Sequence, residues 1–227
     1  MERVLVAAAH PDDEILGCGG TIALHAAQGA AVHVLILGEG MTSRGHSRPA
    51  GLQAGDLEGL RRSAREAASV LGVQNTLFHD FPDNRFDTVP LLEIVKVIEK
   101  VVADVRPTTV YTHHPGDLNV DHGRTCAAVL AACRPLPGAS VRCLYAFEVP
   151  SSTEWTGPVG DPFQPTLFVD IGRTLDLKLR AMACYQTELR DWPHPRSLKA
   201  IEHLARWRGA TAGREAAEAF AVLREVR

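Results

Sequence analysis

From residue 4 to residue 133, short apolar runs alternate with amphipathic segments, and this rhythm constrains the fold more than any other feature of the chain. VLVAAA (4–9), VHVLIL (32–37), TLFHDF (76–81) and TTVYTH (108–113) are strand-length runs. Between and after them, helical periodicity spans 17–28, 57–72, 89–105 and 122–133, with Gly29, Gly72 and Arg106-Pro107 as stop signals. Strands alternating with helices predict an α/β fold, a mainly parallel sheet with helices on both faces. Further on, 141–149 and 166–171 read as strands, and 175–189, 197–209 and 214–226 as helices. The expectation is one α/β domain over 1–227 with a helical C-terminal flank from about 175 to 227.

In such a sheet the C-terminal strand ends share one edge, where ligands bind. His10, Glu39, Asp80–Arg85 and His113–Asp117 each follow a predicted strand, so four polar clusters are expected on one rim. The net charge of -3 and the lack of a basic stripe exclude nucleic acid as an expected partner. No run approaches the ~18 apolar residues of a membrane span, and MERVLVAAAH lacks the form of a signal peptide. Five cysteines without a C-x-x-C pair point to free thiols in a reducing cytoplasm.

The first strand runs into His10-Pro11-Asp12-Asp13-Glu14, three carboxylates beside an imidazole. Capping a helix that starts near Ile15 accounts for one acid, not three. A second cluster, THHPGDLNVDHG (112–123), supplies another imidazole. Together they offer the mixed nitrogen and oxygen donors of a catalytic zinc site, three protein ligands and one open position. His10 and Asp13 face one ion across a turn, and His122 is the third ligand. Asp12, left out of that set, is placed as general base toward a water made acidic by Zn2+. Gly17-Cys18-Gly19-Gly20 is not a dinucleotide loop, because the fingerprint needs a glycine where Ile22 stands.

AHPDDEILGCGGT followed by NVDH resembles the LmbE/PIG-L family of zinc-dependent N-deacetylases. The likeness extends through R..A..EAASVLGV, FPDNRFD, FEVPSSTEW and RG....G.EAAEAF, nearly the whole chain. It implies a Rossmann-like sheet, zinc on His10, Asp13 and His122, Asp12 as base, and hydrolysis of an acetamido group, usually on an amino sugar. Several family members carry a histidine three residues before the last ligand, where this chain has Asn119. An amide donates a hydrogen bond to an oxyanion but delivers no proton, so Asp12, His113 or His114 is left as the acid. Asp121 is a candidate to hold a metal-binding imidazole in its tautomer.

Arg44, Arg62, Asp83 and Arg85 are candidate contacts to sugar hydroxyls or a phosphate, each also readable as a surface charge. Trp155 is a candidate to stack on a sugar ring, although packing explains it as well. The expected partner is a small-molecule N-acetyl-sugar such as N-acetylglucosamine, or its conjugate. The alternatives are a metal-dependent phosphoesterase or an inactive sugar- or nucleotide-binding module, and a homo-oligomer is left open. Glu14 has no assigned duty.

Overall fold

Val4 and Val6 project to one side of the first strand and Leu5, Ala7 and Ala9 to the other, and both sets are buried. A strand covered on both faces must lie inside a sheet, and β1 (Arg3–Ala8) does. A computed structural model describes residues 2–41 and 54–226. Its sheet has seven strands in the order β3-β2-β1-β4-β5-β7-β6, with β2 Ala31–Gly38, β3 Asn75–Phe81, β4 Thr109–His113, β5 Cys143–Phe147, β6 Leu167–Asp170 and β7 Ala217–Glu225. β1 to β5 pair in parallel, and β7 runs antiparallel between β5 and β6. The order reverses beside β1, which sends the chain to β2 on one side and has β4 on the other, a Rossmann-like switch point.

Helices cover both faces, as expected. α1 (Asp13–Ala27), α2 (Ala54–Leu71), α5 (Leu175–Ala183) and α6 (Leu198–Thr211) bury Ile15, Ala64, Met182 and Ile201 against Val4 and Val6. α3 (Leu91–Val105) and α4 (Val120–Ala132) bury Ile94, Ile98 and Val129 against Leu5 and Ala7. Each large aliphatic so buried contributes about 1.5–3 kcal/mol. No helix among the described residues is long and apolar enough to cross a membrane.

Three expectations need correction. The segment 214–226 is not a third C-terminal helix: Ala217–Glu225 forms β7. Its Ala, Glu, Leu and Arg residues favour helix, but pairing on both edges and burial of Ala217 to Phe220 override that weak preference. α5 stops at Ala183 rather than 189, and the chain then turns back toward the sheet edge. α1 begins at Asp13, four residues before the expected start, so two of the acids lie inside its first turn.

α1 is also broken. Cys18 has φ -148° and ψ 25°, which frees backbone groups on both sides of it. Lys178 Nζ donates to the Leu16 carbonyl at 2.9 Å and to Glu218 Oε1 at 2.5 Å. The Glu218 carboxylate accepts from the Gly20 and Thr21 N–H groups at 2.9 and 2.7 Å. A buried ion pair thus splints the break. Gly17 lies so close to β5 that a Cβ there would be 2.2 Å from the Phe147 ring, which excludes any larger residue.

Candidate metal centre

The strand ends around the switch point deliver the site. His10 follows β1, Asp13 opens α1, and His122 is in the first turn of α4, after β4. His10 Nδ1 and His122 Nε2 each lie 3.3 Å from Asp13 Oδ2. The donor atoms of these three residues fall within 4.8 Å of one another, a spacing that a single cation can bridge. The Asp13 carboxylate is fully buried, and Asp13 Oδ1 and His122 Nε2 have no hydrogen-bond partner. Buried polar atoms left bare are costly, and here two of them belong to the predicted ligand set. Burial opposes charge on His10, yet Asp121 and Asp13 outweigh it and push its pKa up to about 10. Burial likewise opposes charge on His122, and Asp13 and Asp117 raise it to about 9. A field that holds protons this firmly is one that a divalent cation would satisfy in their place. The residues therefore fit a metal.

Carboxylates orient both imidazoles from behind. Asp121 Oδ2 is 2.8 Å from His10 Nε2, so Asp121 braces His10, not the adjacent His122. Asp121 is itself fixed by the backbone N–H groups of Asn84 and Phe86 at 2.6 and 2.8 Å. His122 Nδ1 faces Asp117 Oδ1 at 3.1 Å, and Ser152 and Thr153 donate to that carboxylate. Burial works against the Asp117 charge, but the His122 and hydroxyl hydrogen bonds hold its carboxyl down at about 2.

Asp12 stands apart from the ligand set. It is the N-cap of α1 but its side chain caps nothing, and its φ of 106° is left-handed. Such a conformation in a non-glycine residue costs on the order of 1–3 kcal/mol. Arg196 Nη1 donates to Asp12 Oδ2 at 3.0 Å, while Arg196 Nε donates to Ser151 Oγ at 2.8 Å. Burial pushes the Asp12 carboxyl up to about 7, against the downward pull of Arg196.

The other predicted residues sort by position. Asp83 is buried with Oδ1 3.1 Å from His10 Nε2, so it belongs to the cluster. Asn119 caps α4: its Oδ1 accepts from Asp121 N–H at 2.9 Å and its Nδ2 donates to Asn84 at 2.9 Å. One N–H of that amide is left over. Arg85 is exposed on the turn before Phe86. Arg62 is exposed on α2 and pairs with Glu66 at 4.0 Å, so the structure does not bring it to the cluster. Arg44 lies outside the described residues. Trp155 is half-exposed and meets the His194 ring edge-on at 6.1 Å. His113 Nε2 accepts from the Ala9 N–H at 2.8 Å, which puts its proton on Nδ1, and burial holds its pKa well down. His114 Nε2 donates to the Asp161 carbonyl at 2.8 Å.

Sequence reasoning missed Arg196 and Tyr185, whose hydroxyl donates to Glu14 Oε1 at 2.5 Å, and put Asp117 on the rim without assigning it a role. Pro193 and Pro195, which break any helix, were the only signal that 185–197 is a loop returning to the rim.

Sheet order and cluster together define a Rossmann-like α/β protein with a His/Asp cluster able to hold a divalent metal at its switch point. The chain belongs to the PIG-L/LmbE-like family: the family model PIG-L, GlcNAc-PI de-N-acetylase, matches residues 5–133. It is 31% identical over 212 residues to the 4-oxalmesaconate hydratase of Pseudomonas putida, covering 85% of this chain and 76% of that protein. It is 29% identical over 196 residues to the diacetylchitobiose deacetylase of Thermococcus kodakarensis, covering 83% and 70%. The crystal structure of a 4-carboxy-2-hydroxymuconate hydratase from Pseudomonas putida superimposes with a TM-score of 0.79 at 25% identity, covering 100% of this chain and 98% of that one.

Proposed function

We propose that the chain is a zinc-dependent N-deacetylase that removes the acetyl group from an N-acetylated amino sugar, such as N-acetylglucosamine, or from its conjugate. One observation carries the reading. Within a single loop, His10 and Asp13 converge with His122, whereas the buried Asp12 carboxylate is kept out of that set and held by Arg196. A binding site has no use for a further buried carboxylate, outside the ligand set, at such cost; a hydrolase does.

His10, Asp13 and His122 would hold the ion. Zinc, when bound, supplies Lewis acidity that brings the acidity of water toward neutral pH and polarises a carbonyl. Asp12 takes a proton from water as the water oxygen bonds to the acetyl carbon. The spare N–H of Asn119 would donate to the oxygen that becomes negative. As the C–N bond breaks, Asp12 returns its proton to the departing nitrogen, giving a free amine and acetate. Asp12 fits this return better than His113 or His114, whose Nε2 atoms are committed to Ala9 and Asp161. Asp83, beside His10, and Arg85, exposed on the turn before Phe86, are the proposed sugar contacts. All five cysteines are free, which supports a reducing, cytoplasmic setting.

A second reading, hydration of an unsaturated acid, is favoured by the 31% identity to the hydratase. It would use the same Asp12 proton transfer from water. One panel separates the two: acetate release from N-acetylglucosamine, N,N′-diacetylchitobiose and N-acetylglucosaminyl-inositol, beside loss of the double-bond absorbance of 4-oxalmesaconate. Acetate release from at least one sugar supports the deacetylase. Turnover of 4-oxalmesaconate alone overturns it in favour of the hydratase.

A further inference from the structure

Glu14 is the third acid of the opening loop and has no place in the chemistry above. It is buried, at 3% exposure, and both carboxylate oxygens are engaged. Oε2 accepts the backbone N–H of Asp12 at 3.1 Å, and Oε1 accepts the hydroxyl of Tyr185 at 2.5 Å. Tyr185 is completely buried and belongs to the turn that follows α5, far from the loop in sequence.

We propose that Glu14 and Tyr185 are positioning residues that keep the Asp12 carboxylate out of the helix cap and available as the base. An aspartate at a helix N-cap ordinarily adopts extended backbone and accepts N–H groups of the first turn. That would spend the lone pairs a base needs. Here the left-handed backbone of Asp12 leaves its side chain uncapping, while its carbonyl alone receives the Ile15 and Leu16 N–H groups at 3.0 and 2.9 Å. The side chain is then taken up by Arg196. The Asp12 N–H, buried by this turn, would be an orphan without Glu14. Glu14 satisfies it, and Tyr185 fixes the Glu14 side chain from the opposite end. Removing the acceptor lets the residue relax toward ordinary capping geometry and misaims the carboxylate.

This inference rests on Asp12 being the base, and the test keeps the two claims apart. Acetate release from N,N′-diacetylchitobiose serves as the probe, with zinc content measured on the same samples. Glu14→Met is expected to lower kcat by about 10–100-fold, with KM and one zinc per chain unchanged, as sub-ångström misplacement of a reacting group does. Glu14→Gln is expected to stay within about 3-fold of wild type, because its amide oxygen still accepts from Asp12 and its NH2 donates to Tyr185. In an Asp12→Ala background, Glu14→Met is expected to cause no further fall, the non-additivity that marks action through one residue. A wild-type kcat for zinc-loaded Glu14→Met overturns the inference, as does loss of its zinc or an equal further fall in the Asp12→Ala background. If Glu14→Met does not fold, Tyr185→Phe carries the test: a fall of about 3–10-fold at constant zinc supports the inference, and no change overturns it. Full activity in Asp12→Ala alone removes the base assignment, and this inference with it.

Discussion

α1 carries two buried polar clusters, one at its first turn and one at its break, and they differ in a single respect. At the break, Lys178 and Glu218 are each 4% exposed, yet their charges meet each other and the backbone groups of Leu16, Gly20 and Thr21. At the first turn, Asp13 and His122 are as deeply buried, but Asp13 Oδ1 has no hydrogen-bond partner and His122 Nε2 makes no hydrogen bond beyond its 3.3 Å approach to Asp13 Oδ2. A satisfied cluster in a protein interior is architecture, because every desolvation cost has its matching partner. An unsatisfied one is an invitation to a ligand. The same helix therefore separates what holds the loop from what the loop holds.

Three substitutions break this contrast, in decreasing order of effect. Asp13→Ala removes the carboxylate that both imidazoles share, so zinc measured by mass spectrometry after dialysis should fall from one per chain to none, and turnover with it. The fold should remain at a cost of about 1–3 kcal/mol, because what it loses is the hydrogen bond that Asp13 Oδ2 accepts from the buried His10 N–H at 2.8 Å. Lys178→Met should do the reverse: it strands the Glu218 charge and destabilises the chain by about 3–5 kcal/mol in urea unfolding, while the folded protein still binds zinc. Asp121→Ala takes the nearer of two carboxylates from His10 Nε2, leaving Asp83 Oδ1 at 3.1 Å, without touching the ligand set, and should weaken zinc affinity about 10–100-fold in a chelator competition. An unchanged zinc affinity for Asp121→Ala would mean that His10 needs no brace from Asp121.

The sequence made the parallel half of the sheet legible because hydrophobic period and length agree there: VLVAAA and VHVLIL have no other consistent reading. The grouping of His10, Asp13 and His122 was legible for a chemical reason, since crowded acids beside an imidazole suit a cation. The strand β7 was not, because AEAFAVLRE has helical residues and becomes a strand only through β5 and β6. Nor were Arg196, Tyr185 and Lys178, whose partners lie 184, 171 and 40 residues away. Local pattern carries no trace of such pairings. Residues 42–53, including Arg44, lie outside the described residues.

The central claim is that two ligands of a metal cluster and a separate base share one loop. Acetate release by zinc-loaded Asp12→Ala, on whichever N-acetyl sugar the wild type turns over, tests it most directly. The account predicts one zinc per chain and a rate lowered by about 10²–10⁴-fold, the usual contribution of a general base. Full turnover by that variant with its zinc in place would contradict it.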